Sequence, residues 1–199
     1  PFRIDAPLIR MSKAEIIRQL GIPAEKIVVF HTGVSDHFRP PAGAASEREK
    51  TRRSLGLPQS YVLSVGAHDP RRNVKTLLSA YKRLEAGRPA ERKLVVVGPK
   101  TSFFQEVWQT TRALGLEKDV LFVDYVPNEE LPSYYGLADV YVYPSSEEGF
   151  GLTPLEALSA GRPVIAYAAG GALDTVVEGQ TGAFFREPTP ESLAGAVER

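Results

Sequence analysis

The sequence predicts an α/β domain built on a doubly wound parallel sheet of Rossmann-like type. Two observations predict it. From Tyr61 onward, six short apolar runs alternate with segments of helical period. The runs are continuously apolar, as strands covered by helices on both faces are. Six such βα units fit the strand order 3-2-1-4-5-6, with a ligand crevice beyond the strand C-termini, between strands one and four.

The elements follow in chain order. Ser12–Glu15 (S-K-A-E) has a capping-box pattern, and Ile16, Ile17 and Leu20 follow at helical spacing before Gly21 and Pro23. Ile27–Phe30 is a short β-type run, and residues 39–45 (R-P-P-A-G-A-A) have linker composition. The main domain is therefore placed at 46–199, with 1–45 as a separate leading segment. Its strands are expected at Tyr61–Val65, Leu94–Val97, Val120–Val123, Val140–Tyr143, Val164–Tyr167 and Ala183–Phe185. Helices are expected at Val74–Leu84, Phe103–Leu114, Glu129–Leu137, Leu155–Ser159, Leu173–Val177 and from Pro190 onward.

Composition excludes several function classes. Lys and Arg number 24, as do Asp and Glu, so no net charge favours nucleic acid or an anionic membrane surface. There is no cysteine, hence no disulfide framework and no thiolate chemistry. The three histidines, His31, His37 and His68, stand in no metal-ligand spacing, and no metal is expected. No apolar run is long enough to span a bilayer, and no leader is present, so a cytoplasmic location is expected. A start at Pro1 and an end at V-E-R suggest a piece of a longer protein.

The predicted order sets two loops face to face: 66–73 (G-A-H-D-P-R-R-N) after the first strand and 144–153 (P-S-S-E-E-G-F-G-L-T) after the fourth. In the second, Thr153 is expected as N-cap, Pro154 at N1 and Glu156 at N3. Glu156 then has two readings. It completes a capping box, contributing about 1 kcal/mol, or it accepts hydrogen bonds from ribose hydroxyls while the helix N-terminus faces a diphosphate. Gly149 and Gly151 allow close backbone approach or simply make the turn. Glu148, before a glycine and outside the helix, is either a ligand group or a solvated loop acid. Arg71 and Arg72 lie at a helix start, where the macrodipole disfavours cations, unless an anion neutralises them. His68 is read as a loop histidine or a phosphate donor.

The stretch 145–166, S-S-E-E-G-F-G-L-T-P-L-E-A-L-S-A-G-R-P-V-I-A, closely resembles the signature of family 4 of the retaining, nucleotide-sugar-dependent glycosyltransferases (group 1), two-domain enzymes of the GT-B fold. Residues 123–144 and 170–182 match as well, and 27–38 resembles the segment joining the two domains. The resemblance covers nearly the whole chain from Met11. It implies that 46–199 is the C-terminal, donor-binding half and that 1–45 is the end of the N-terminal domain with the interdomain connection. It also implies roles for residues. Glu156 would bind ribose and Glu148 the transferred sugar. The backbone of Gly149, Phe150, Gly151 and Leu152 would position sugar hydroxyls, and that of Leu152 through Leu155, with Thr153, the distal phosphate. The backbone at Tyr125 and Val126 would meet the base, and Gly66 and His68 would line the donor site. The family's Arg–Lys pair after the first strand reads Ala67 and Arg72 here, which leaves Arg71 or Arg72 to face the leaving phosphate.

The implied reaction is transfer of a sugar from a nucleotide-diphosphate sugar, GDP-mannose or a UDP-sugar, to an acceptor hydroxyl with retention. No cofactor or metal is implied. The implied partners are the nucleotide sugar, the enzyme's own N-terminal acceptor-binding domain and, for the full-length enzyme, a peripheral membrane surface. Two alternatives stand beside it: a non-catalytic nucleotide-sugar-binding module, suggested by Ala67, and a sugar-nucleotide epimerase or glucan synthase relative. A dehydrogenase-type domain is disfavoured because no G-x-G-x-x-G follows the first strand.

Overall fold

All six apolar runs form strands of one parallel sheet. The computed structural model describes residues 4–5, 10–29, 33–40, 43–84, 92–146 and 151–199. The elements are β1 (Ile4–Asp5), α1 (Arg10–Leu20), β2 (Ile27–Val28), α2 (Ala45–Ser54), β3 (Ser60–Val65), α3 (Val74–Arg83), β4 (Arg92–Val97) and α4 (Phe104–Ala113). They continue with β5 (Val120–Val123), α5 (Leu131–Leu137), β6 (Val140–Tyr143), α6 (Leu152–Ser159), β7 (Val164–Tyr167), α7 (Ala172–Thr175), β8 (Gly182–Phe185) and α8 (Pro190–Val197). The short β1 and β2 pair with each other in parallel, outside the main sheet.

The main sheet has the order β5-β4-β3-β6-β7-β8, which is the expected 3-2-1-4-5-6. Val62 of β3 is in register with Leu94 of β4 on one side and Val140 of β6 on the other. The chain reverses its direction of progress between β3 and β6, and in sheets of this kind ligands bind outside the strand C-termini at such a switch point.

The period of two along each strand divides the core into two halves. Val62, Leu94, Val96, Val142 and Ile165 face α3, α4 and α8, where Leu77, Leu78, Tyr81, Val107 and Leu193 cover them. Tyr61, Leu63, Val95, Tyr141, Tyr143 and Ala166 face the other way, toward Tyr134, Tyr135 and Leu137 of α5, Ala157 of α6 and Ala172 of α7. A side chain as enclosed as Leu78, 0% exposed, contributes about 1.5–3 kcal/mol by burial.

Three expectations need correction. The helix after β6 starts at Leu152, and its N-cap is Gly151 in the left-handed region (φ 74°). Thr153 therefore lies inside the first turn, and Glu156 completes no capping box. A glycine that turns the chain sharply at positive φ takes the cap position that Thr-Pro suggested. Second, α1 begins at Arg10, so Ser12 is inside the helix rather than at its N-cap. Third, α2 follows the 39–45 segment although its sequence, A-S-E-R-E-K-T-R-R-S, has no apolar period. Its ordering is local and electrostatic. The Glu47 carboxylate accepts from the Ala44 N–H at 3.2 Å, and Arg53 pairs with Glu49 at 2.7 Å. α2 packs on α5.

Residues 38–40 lie against the main domain. The Phe38 ring meets Tyr135 edge-on, with centroids 5.7 Å apart, and Pro40 lies over Gly161 at the end of α6.

Candidate functional site

The crevice is built by backbone contacts before any side chain enters it. A Cβ on Gly98, just after β4, would stand 2.0 Å from the Gly66 carbonyl oxygen, so the loops after β3 and β4 touch main chain to main chain. Gly66 itself has φ 154° and is overlaid by the Arg72 side chain, whose Cδ and Nε would be 3.2 Å from a Cβ there. The loop after β6 then closes on the loop after β3. The Ser146 N–H donates to the Arg71 carbonyl at 3.0 Å, and Arg72 Nη1 donates to Ser145 Oγ at 3.4 Å. Ser145 is buried.

These contacts distinguish the two arginines. Arg71 is turned toward Asp69, with Nε–Oδ1 3.3 Å, and half its side chain is in solvent. Arg72 folds back across Gly66 and reaches the loop after β6, at the C-terminal ends of the two strands that flank the switch point. Of the pair, it is the guanidinium that the fold holds at the crevice.

On the other wall stands α6. Gly151 has no side chain with which to cap it, and Pro154 has no N–H. The first turn therefore presents the N–H groups of Leu152 and Thr153 without a side-chain acceptor from the N-cap residue, under the positive end of the helix dipole. Leu152 is exposed, while Thr153 Oγ1 is buried near the Tyr141 ring without a hydrogen bond of good geometry. Glu156, one turn further on, is half-buried, and its Oε2 accepts from the Tyr135 hydroxyl at 2.7 Å. Burial pushes the Glu156 carboxyl above its ordinary value, and the bond from Tyr135 partly offsets the rise.

His68, expected to line the donor site, is a buried side chain. It is 0% exposed, and its ring is enclosed by Phe104 of α4 (centroids 5.1 Å) and Phe122 of β5 (5.6 Å). Its backbone is fixed too: the His68 N–H donates to the Pro99 carbonyl at 3.3 Å, and the Thr101 hydroxyl donates to the His68 carbonyl. Burial holds its imidazole below the usual value of 6.5, so it is neutral at pH 7. Its aromatic neighbours place it in the core on the α4 side. A pocket lined by Asp69, Asn73, Val74, Phe103 and Val107 opens on that side as well, and neither Arg72 nor Glu156 lines it.

At the two residues whose backbone is expected to meet the base, the side chains differ. Val126 is buried in the core, whereas the Tyr125 ring is 77% exposed beyond the end of β5. Glu148, Gly149 and Phe150 lie outside the described residues. Among the described residues, no group of three or more His, Asp or Glu side chains could hold a metal ion. No helix among them is long and apolar enough to cross a membrane.

Two contributors escaped sequence reasoning. Tyr135 meets Glu156 across 21 positions, and Ser145 meets Arg72 across 73. Only Ser145 left a signal, its place directly after an apolar run in the loop facing the arginines.

Comparison with known proteins adds to this geometry. A family model described as "Glycosyl transferases group 1" matches residues 47–199. The O-antigen chain mannosyltransferase B of Escherichia coli is 35% identical over 154 residues, which are 77% of this chain and 40% of that protein. A D-inositol 3-phosphate glycosyltransferase of Catenulispora acidiphila is 33% identical over 92% of this chain and 44% of its own length. The chain thus spans less than half the length of these relatives. Among solved structures, Anabaena HepE in complex with UDP and glucose superposes with TM-score 0.83 at 24% identity, over 97% of this chain and 51% of that one. The C-terminal domain of the Francisella tularensis group 1 glycosyl transferase LpcC superposes with TM-score 0.72 at 25% identity, over 83% and 86%.

Proposed function

The chain belongs to the group 1 glycosyl transferases, and from that premise we propose that it is the donor-binding half of a retaining enzyme. That enzyme would transfer a sugar from a nucleotide-diphosphate sugar to an acceptor hydroxyl. The observation that carries this reading is the convergence at the switch point of Arg72, the uncapped start of α6 and Glu156, brought from separate parts of the chain.

The chemistry follows from charge. Breaking the bond from the anomeric carbon to the diphosphate develops negative charge on the leaving oxygens and an oxocarbenium-like sugar. Arg72 and the N–H groups at the start of α6 stabilise the first without a metal. Glu156 repels phosphate at close range, so its role is to accept from ribose hydroxyls one turn along the helix. Glu148, in the loop between β6 and α6, contacts the transferred sugar near its reacting face. The exposed Tyr125 and the backbone at Val126 meet the base. The acceptor enters from an N-terminal domain on the far side of the crevice. The likeness to a crystallised C-terminal domain of a group 1 enzyme supports this division.

The relatives' names bear on the donor. A mannosyltransferase and a mannosylfructose-phosphate synthase favour a mannose donor such as GDP-mannose. The inositol-phosphate enzymes name no donor sugar, which keeps UDP-sugars within the proposal.

The test is made on the full-length protein that contains this chain. NMR of the product should show the anomeric configuration of the donor, and Glu148→Ala should abolish turnover while nucleotide still binds. The 199-residue chain alone should transfer no sugar. An inverted product, or turnover untouched by Glu148→Ala, contradicts the proposal.

A further inference from the structure

Four buried tyrosines of this domain satisfy their hydroxyls in two different ways. Tyr61 donates to the Tyr134 carbonyl at 2.6 Å, Tyr81 to the Arg92 carbonyl at 2.6 Å, and Tyr141 to the Val65 carbonyl at 3.4 Å. Each is the ordinary solution for a core tyrosine, a backbone acceptor close by. Tyr135 instead donates to the side chain of Glu156 at 2.7 Å. A half-buried carboxylate is a costlier acceptor than a backbone carbonyl, because its charge loses solvation.

Tyr135 is also held unusually firmly. It is 0% exposed, with Phe38 edge-on at 5.7 Å on one side and Tyr141 at 5.4 Å on the other. A ring clamped in this way cannot swing, so its hydroxyl marks a fixed point in the core. Burial raises its phenol well above the ordinary value, so it remains a proton donor throughout the physiological range. Glu156 Oε1 makes no hydrogen bond to the described residues.

We propose that Tyr135 is a positioning residue for nucleotide recognition: its hydroxyl pins Glu156 Oε2 and so aims Oε1 at the ribose hydroxyls. The inference rests on the reading of Glu156 as the ribose acceptor. It adds that the direction of the carboxylate is set from beneath by α5, and that Phe38 of the leading segment braces the ring that sets it. An unpinned glutamate has several rotamers and loses affinity in selecting one; a pinned one is preorganised for two adjacent hydroxyls.

The test is ribose discrimination. The 199-residue chain is titrated calorimetrically with GDP, UDP and ADP, and then with the 2′-deoxy and 3′-deoxy forms of whichever binds. Wild type should prefer the ribonucleotide. Tyr135→Phe, which keeps the ring and removes the hydroxyl, should lose about three- to tenfold in affinity for the ribonucleotide. Its affinity for the deoxy forms should stay unchanged, so that the preference collapses. Phe38→Leu, which keeps the hydroxyl and loosens the ring, should show the same ribose-specific loss in smaller measure, and it carries the test should Tyr135→Phe fail to fold. Full ribose preference in a folded variant overturns the inference, as does an equal loss for ribo- and deoxynucleotides. Failure of the wild type to bind any nucleotide removes the reading on which the inference stands, and is distinguishable from both.

Discussion

The two faces of the sheet use the same strands for different ends. Toward α3, α4 and α8 the interior is largely aliphatic; of its buried titratable groups, His68 is wrapped in aromatic rings and Tyr81 donates to the Arg92 carbonyl. Toward α5, α6 and α7 the strands present Tyr61, Tyr141 and Tyr143, and the helices answer with Tyr134, Tyr135 and the half-buried Glu156. A polar interior is a costly way to stabilise a domain. On the proposed reading, its position under α6 lets this half of the core hold ligand groups in place while the aliphatic half holds the fold together.

Substitutions should separate the two roles. The largest effect is expected from Leu78→Ala on the aliphatic face, a loss of about 2–5 kcal/mol in chemical denaturation. Nucleotide affinity of the fraction that remains folded should be unchanged. Next is Arg72→Ala on the crevice side. It should weaken binding of a nucleoside diphosphate by about 1.5–3 kcal/mol, the contribution of hydrogen bonds to a charged group. The unphosphorylated nucleoside, as a control, should bind equally well to both proteins.

Glu156→Gln sharpens the contrast, because stability and binding should move in opposite directions. The carboxyl's folded value lies above its unfolded value of 4.5, so its contribution to stability is fully present below pH 4.5 and is lost as pH rises through the raised value. At pH 7 the glutamine variant should be at least as stable as wild type in thermal melts. That advantage should vanish at low pH, and nucleotide affinity should fall throughout.

The smallest effect belongs to His68. Its folded value is depressed below 6.5, so stability is present above that pH and declines as pH falls through the folded value. His68→Phe should flatten the decline of melting temperature below pH 6.5 and leave binding at pH 7.5 unaltered. A loss of binding there would return His68 to the donor site.

Much of this was legible in the sequence, and the boundary has a physical cause. Each strand announced itself because residues such as Leu94–Val97 and Val164–Tyr167 are covered on both sides, and the order followed from the βα rhythm. Helix α2 was illegible because Glu47 capping and an Arg53–Glu49 pair, not an apolar face, organise it. The start of α6 was misplaced because Thr-Pro imitates an N-cap, and only backbone geometry reveals that Gly151 occupies it. Arg72 and Glu156 could be named from the loops they sit near. Tyr135 could not, since nothing local to the Y-Y pair distinguishes a core ring from one that reaches a carboxylate on the next helix. The direction of His68 is likewise a tertiary matter, decided by two phenylalanines more than thirty positions away.

The central claim is that the crevice between the loops after β3 and β6 is a nucleotide-diphosphate site. It is tested most directly by calorimetric titration of the 199-residue chain with GDP, UDP and ADP in the absence of added metal, repeated with Arg72→Ala and Glu156→Gln. The account predicts that one nucleotide binds, that each substitution weakens it, and that both variants keep the fold by circular dichroism. Absence of binding by all three, or binding that neither substitution disturbs, would contradict it.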